Sequence, residues 1–213
     1  MLRILQTARP LRMLSFSALR PYLFAMHLPK AVLLDRDGVI NFDSPDYILA
    51  PEQWKPIPGS LEAIARLTRA GIPVAICSNQ SGLGRGMMSE EIFRAIHAKM
   101  LLAIEEAGGM LTHAAYCPHR PEDGCSCRKP KPGLIVEALA ALNVKPEDAL
   151  MIGDSTRDIE AAHAAGVNSM LVQSGYGNAG VILQKSIAIN PQIEAFADLA
   201  AAVESILGDN PCC

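Results

Sequence analysis

Apolar residues occur along this chain in short unbroken runs, and several of those runs stop at a polar cluster. Val32-Leu33-Leu34 meets Asp35-Arg36-Asp37-Gly38, and Ile72-Pro73-Val74-Ala75-Ile76-Cys77 meets Ser78-Asn79-Gln80-Ser81-Gly82. Ala149-Leu150-Met151-Ile152 meets Gly153-Asp154-Ser155-Thr156-Arg157-Asp158. Runs of this kind, without alternation, are the pattern of parallel strands covered on both faces. Helix-period segments separate them. Leu61, Ile64, Ala65 and Leu67 share one face after Ser60, with Gly71 closing the helix. Ile92, Ile96, Met100 and Ile104 recur every four residues beside Phe93, up to Gly108-Gly109, and His97 within that stripe reads as structural. A short strand around 114–116, helices over 134–142 and 159–165, and a strand over 169–172 continue the alternation. The predicted fold class is α/β, a doubly wound parallel sheet without a large cap domain. After Gly175-Tyr176-Gly177 the pattern weakens, and 196–207 is predicted to be a terminal helix on the sheet.

Composition narrows the picture without naming a chemistry. The chain has 213 residues, half of them apolar, and a formal charge of −3, which offers no broad basic surface for nucleic acid. One domain is expected. No apolar run reaches the roughly 18 residues a bilayer requires. Residues 1–30 carry Arg3, Arg9, Arg12, Arg20 and Lys30 and no acid, a composition shared with transit peptides. Arg9-Pro10 and Arg20-Pro21 break any secretory core, and Met26 lies just before the first strand. The reading preferred is an N-terminal extension of poor order over 1–28, a single domain over 29–208 and a tail over 209–213, in a cytoplasmic protein. Cys77 reads as a packed core thiol, and Cys212-Cys213 has no assigned role.

The ends of the runs carry the candidate chemistry. In an open α/β sheet, ligands bind outside the carboxyl ends of the strands. Asp35 and Asp37 sit at such an end, and two carboxylates so close are costly unless a hard divalent cation such as Mg²⁺ neutralises them. Asp-x-Asp-Gly is also compatible with a plain turn. Asp154 is placed to join the pair, whereas Asp158, one helical turn on, is placed to cap or orient. Asp43, Ser44 and Asp46 follow closely enough to line a rim. Ser78, Asn79, Gln80, Ser81 and the glycine-rich stretch to Arg85-Gly86 supply a hydroxyl, amides, open backbone N–H groups and a cation, the parts of a phosphate cradle or of a solvated loop.

The most specific segment is Cys117-Pro118-His119, five residues, then Cys125-Ser126-Cys127. Three thiolates and an imidazole close a tetrahedral Zn²⁺ site with no position left for water, so the zinc is structural. It would pin a loop that hands on Arg128-Lys129-Pro130-Lys131-Pro132-Gly133, a basic cluster held against anionic groups.

Strand ends bearing Asp-x-Asp, Ser-Asn, a loop lysine and Gly-Asp resemble the haloacid dehalogenase superfamily of phosphatases over about residues 31–177. Asp35 to Asn41, Trp54 to Ser60, Ser78 to Gly82 with Arg85-Gly86, and the zinc pairs leading into Arg128-Lys129-Pro130 narrow the resemblance. They point to the branch that removes the 7-phosphate of D-glycero-D-manno-heptose 1,7-bisphosphate in making bacterial lipopolysaccharide heptose. The resemblance implies that Asp35 is the nucleophile, and that Asp37 is the acid and then the base. It also implies that Ser78 and Lys129 hold the phosphoryl oxygens. Mg²⁺ would be bound by Asp35, the backbone carbonyl of Asp37, and Asp154. Asp43, Asn79, Gln80, Ser81 and Arg128 would contact substrate, with Arg85 at the second phosphate. The partner implied is a small sugar bisphosphate, with no nucleic acid or membrane, and a monomer is expected. Ser155 departs from relatives that carry Lys there. The five-residue zinc spacing also occurs in zinc-containing histidinol-phosphate phosphatases, the nearest alternative, and a catalytically silent zinc-stabilised module is a more distant one.

Overall fold

The computed structural model describes residues 28–208; the N-terminal extension up to residue 27 and the tail 209–213, with Cys212 and Cys213, lie outside the described residues. Six strands form one parallel sheet in the order β3-β2-β1-β4-β5-β6. They are β1 (Ala31–Leu34), β2 (Val74–Asn79), β3 (His113–Cys117), β4 (Ala149–Gly153), β5 (Asn168–Val172) and β6 (Glu194–Phe196). In register, Leu34 lies between Ile76 of β2 and Ile152 of β4. The strand order reverses at β1, so the crevice beyond its carboxyl end is the topological switch point of the sheet.

Strand alternation divides the apolar residues between two cores. Val32, Leu34, Val74, Ile76, Leu150 and Ile152 face α1 (Ser60–Arg69), α3 (Glu90–Glu106) and the terminal α7 (Leu199–Leu207). Leu33, Ala75, Cys77, Ala149 and Met151 face α4 (Gly133–Leu142) and α5 (Thr156–Ala165). Ile96, Met100 and Ile104 are fully buried, as their spacing predicts, whereas Ile92 remains partly exposed at the first turn. Cys77 is buried and its thiol donates to the Leu134 carbonyl. His97 accepts or donates one bond with the Tyr116 hydroxyl at 2.9 Å and stacks edge-on against that ring. No separate cap domain stands among the described residues.

Several elements differ from the sequence reading. β2 runs two residues past Cys77, so Ser78 and Asn79 are strand residues paired with Tyr116 and Cys117. The glycine-rich stretch after it contains a single helical turn, α2 (Ser81–Gly84). The predicted helix over 196–207 begins later, because Phe196 pairs with Val172 in β6 and Asp198 caps α7 by accepting from the Ala201 N–H at 2.9 Å. Between β5 and β6 lies α6 (Ala179–Ile189), which packs on α5; only Ser186 in it is buried, so it carries no apolar stripe for periodicity to detect.

Candidate active site

The carboxyl ends of β1, β2 and β4 and the loop after Cys127 converge on an open cleft of about 260 Å³. Of the residues predicted for the site, Asp35, Asp37, Asp43, Ser78, Asn79, Gln80, Ser81, Arg128, Lys129 and Asp154 line it. Arg85 does not; it is the exposed C-cap of α2. Arg36, Arg157 and Tyr176 line the cleft without having been predicted.

Lys129 is the hinge of the charge arrangement. It is 2% exposed, and its ammonium lies 2.9 Å from Asp35 Oδ2 and 2.5 Å from Asp158 Oδ1. Burial alone would lower its pKa, but Asp158 and Asp35 outweigh burial and raise it, so it stays charged. Its backbone is fixed as well: Asn79 Oδ1 accepts from the Lys129 N–H, and Asn79 Nδ2 donates to the Lys129 carbonyl. Asp158 takes the orienting position that its spacing suggests. It closes a capping box on α5, accepting from the Ser155 N–H at 3.0 Å and the Ser155 hydroxyl at 2.6 Å.

The remaining carboxylates are poorly neutralised. Burial, with Asp158 adding to it, pushes Asp35 up to about 6 against the pull of Lys129 and Ser78. Asp154 is pushed up to about 9 by burial and by Asp158, Asp35 and Asp43. Its carboxylate accepts no hydrogen bond among the described residues, and the backbone of Gly38 and Gly175 presses against it: a Cβ on Gly38 would lie 2.5 Å from Asp154 Oδ2. Carboxylate oxygens of Asp35, Asp154 and Asp158 all lie within 4.8 Å of one another. Asp158 is saturated by Lys129 and Ser155, so Asp35 and Asp154 are the two with lone pairs to spare. Buried, repelling and oxygen-only, this donor set fits Mg²⁺.

Asp37 behaves oppositely. Burial would raise it, but the Arg36 ion pair at 2.9 Å and hydrogen bonds from Arg36, Asn41 and Gln80 hold its pKa below the usual carboxylate value. The sequence signal for Arg36 was available in principle. A guanidinium in a segment that must be buried requires a partner, and Arg36 is 1% exposed.

Cys117, His119, Cys125 and Cys127 form a second cluster at the end of β3. The separations are 3.3, 3.5 and 3.7 Å between sulfurs, and 3.4 and 3.6 Å from His119 Nδ1 to sulfur. A tetrahedron with Zn–S bonds of about 2.3 Å has edges near 3.7 Å, whereas a disulfide would need about 2.05 Å, so the geometry fits zinc. Arg128 Nη1 donates to the His119 carbonyl at 3.0 Å, and Lys131 donates to the Gly124 and Cys125 carbonyls. The cluster thereby ties the basic loop to the cleft.

Comparison with known proteins places this geometry in context. Residues 29–166 match the haloacid dehalogenase-like hydrolase family. The chain is 43% identical, over 84% of its length and 99% of the relative's, to D-glycero-beta-D-manno-heptose-1,7-bisphosphate 7-phosphatase of Pseudomonas putida. It is 42% identical to the enzyme of that name from Bordetella bronchiseptica, over 84% of this chain and 98% of that one. The crystal structure of D,D-heptose 1.7-bisphosphate phosphatase from B. bronchiseptica, complexed with magnesium and phosphate, superposes with a TM-score of 0.78 at 41% identity. That superposition covers 83% of this chain and 98% of the other.

Proposed function

The chain belongs to the haloacid dehalogenase-like hydrolases, and from that premise we propose that it removes the 7-phosphate of D-glycero-β-D-manno-heptose 1,7-bisphosphate. The observation that carries this reading is the convergence of Asp35, Asp37, Ser78, Lys129 and Asp154 on one cleft of sugar size. Relatives more than 40% identical over nearly their whole length, named for the β anomer of this substrate, support the choice of sugar.

Asp35 attacks phosphorus. The bond from phosphorus to the sugar oxygen breaks, and the leaving oxygen takes its electron pair and a proton from Asp37, leaving an aspartyl-phosphate. Water then attacks phosphorus, its proton passes to Asp37, and the Asp35 carboxylate is regenerated. General acid–base help of this kind is worth about 10²–10⁴-fold. Arg36 keeps Asp37 ionised before substrate arrives; the charge of the phosphoryl dianion then raises its proton affinity, so that it takes up a solvent proton to give in the first step and, ionised again, accepts the proton from water in the second. Lys129 and Ser78 hold the transferring oxygens. Mg²⁺, held by Asp35, Asp154 and the backbone carbonyl of Asp37, would neutralise charge between the carboxylates and the phosphoryl group.

Asp43, Arg128 and Ser81 line the cleft where the sugar would lie. Arg157, exposed on the first turn of α5, is better placed than Arg85 to meet the second phosphate. All of these groups come from one chain, so a monomer suffices. No helix among the described residues is long and apolar enough to cross a membrane.

The test is phosphate release with Mg²⁺ from both anomers of the bisphosphate and from histidinol phosphate, with Asp35→Asn as the blank. Preference for the β bisphosphate, abolished in the variant, is the expected result. Preference for histidinol phosphate would move the protein to the alternative branch, and no turnover by folded, metal-loaded protein would end the enzyme reading.

A further inference from the structure

Among the described residues, Asp37 is the most completely hydrogen-bonded carboxylate of the cleft. Its Oδ1 accepts from Arg36 Nε at 3.1 Å and Asn41 Nδ2 at 2.8 Å. Its Oδ2 accepts from Arg36 Nη2 at 2.9 Å and Gln80 Nε2 at 2.8 Å. The donors are themselves tied. Gln80 Oε1 accepts from Arg36 Nη2 at 2.9 Å, and Gln80 Nε2 also reaches Ser78 Oγ at 3.1 Å. Asn41 Oδ1 accepts from the indole Nε1–H of Trp54 at 3.0 Å. An indole N–H can only donate, so this bond decides which end of the Asn41 amide faces Asp37: the carbonyl oxygen turns to Trp54 and the NH₂ group to the carboxylate. Trp54 is itself 1% exposed and packed in the core.

Stability is a poor account of this frame. Arg36 is buried with its Nη1 unpartnered, and a buried ion pair is often no more stabilising than apolar groups of similar volume. What the frame does provide is one fixed rotamer for one carboxylate.

We infer that Arg36, Gln80 and the Trp54–Asn41 pair are positioning residues that hold the Asp37 carboxylate for the second half of the reaction. In that half, water oxygen bonds to phosphorus, the bond from phosphorus to Asp35 breaks with its electron pair returning to Asp35, and the water proton passes to Asp37. The inference rests on the proposed phosphatase function. It also gives Gln80 a different task from the substrate contact implied by resemblance, because its amide is spent on Asp37, Arg36 and Ser78.

The test uses rapid quench with p-nitrophenyl phosphate and Mg²⁺. An aryl leaving group needs little protonation, so the first step survives a misplaced Asp37 while the second does not. Gln80→Met and Trp54→Phe should each release about one p-nitrophenolate per site in a fast burst. Steady-state turnover should then fall by about 10²-fold, the scale of a misplacement of about 1 Å. Arg36→Lys keeps the charge without the fork and should restore only part of the rate lost in Arg36→Met. Trp54 is the only tryptophan, so its emission in the Gln80 and Arg36 variants reports whether the core around the frame is intact.

Wild-type steady-state rates without a burst in Gln80→Met and Trp54→Phe would overturn the inference. So would burst and steady-state rates that fall together with a raised KM, the pattern of a lost substrate contact. Asp37→Asn serves as the benchmark: wild-type turnover in that variant would overturn the underlying function instead of the frame.

Discussion

Asp158→Asn tests whether Lys129 is held by its buried partner. Asp158 is fully buried and accepts from Lys129 Nζ, the Ser155 N–H and the Ser155 hydroxyl. An amide offers one accepting oxygen where the carboxylate offered two. If that oxygen stays with Lys129, the amide NH₂ faces the Ser155 N–H, and the capping box is lost at a cost of about 0.5–2 kcal/mol. Replacing the charged acceptor of a buried ammonium removes about 1.5–3 kcal/mol more. Together these give about 2–5 kcal/mol, which in a domain of this size lowers Tm by about 4–20 °C.

Activity should fall as well. With Asp158 neutral, Asp35 is the one charged partner still in contact with the ammonium, so the cation proposed to meet the phosphoryl group is held more tightly by the proposed nucleophile. A kcat loss of about 10–10²-fold is expected, on the scale of a misplaced catalytic group. Thermal melts of the Mg²⁺-loaded protein and steady-state kinetics on one phosphomonoester read both effects. Melting within about 2 °C of wild type together with an unchanged kcat would refute the reasoning, because a fully buried acceptor would then have been dispensable.

Three further outcomes follow from the same geometry. Elemental analysis should find about one zinc per chain, and Cys127→Ser or strong chelation should lower both Tm and kcat, because structural zinc contributes about 10 kcal/mol or more to ordering the loop that presents Lys129. With Asp154 pushed up to about 9, Mg²⁺ must displace a proton at neutral pH, so its apparent affinity by calorimetry should rise about tenfold from pH 7 to 8 and less steeply from there to 9. The sign for stability is consistent: a raised folded-state pKa means that the metal-free fold loses stability as pH rises from ordinary carboxylate values towards 9, so the Tm gain on adding Mg²⁺ should grow over that range. In Gly175→Ala a Cβ would collide with the Asp154 carboxylate, a strain of about 1–3 kcal/mol, and the Mg²⁺ concentration for half-activation should rise about tenfold or more. Normal activation of that variant would mean that Gly175 does not shape the metal site.

Much of this was legible in the sequence because it is written locally. A buried parallel strand needs an unbroken apolar run, so β1, β2 and β4 announced themselves, and the polar residues that end them marked the catalytic edge. Four side chains of metal-ligating type within eleven positions are likewise a local signal, since a loop brings its own candidate ligands together. Elements whose stability comes from one-sided contact were not legible. α6 buries a single side chain and β6 is a three-residue edge strand, and neither carries the periodicity that burial imposes.

The site divides along the same line. That Asp35, Asp37, Ser78 and Asp154 share one edge follows from their position at the ends of parallel strands. That Lys129 is clamped between Asp35 and Asp158, that Asp37 is bound by Arg36, Gln80 and Asn41, and that Arg85 points elsewhere could not be read from order along the chain. Those are choices of rotamer and partner, some among near neighbours, as Arg36 and Asn41 are to Asp37, and some among groups separated by tens of residues, such as Lys129 and Asp158 or Asp37 and Gln80. Sequence determines which chemistry is available at each strand end; only packing excludes the alternative pairings, because a buried charge must take whichever partner the close-packed interior places within reach.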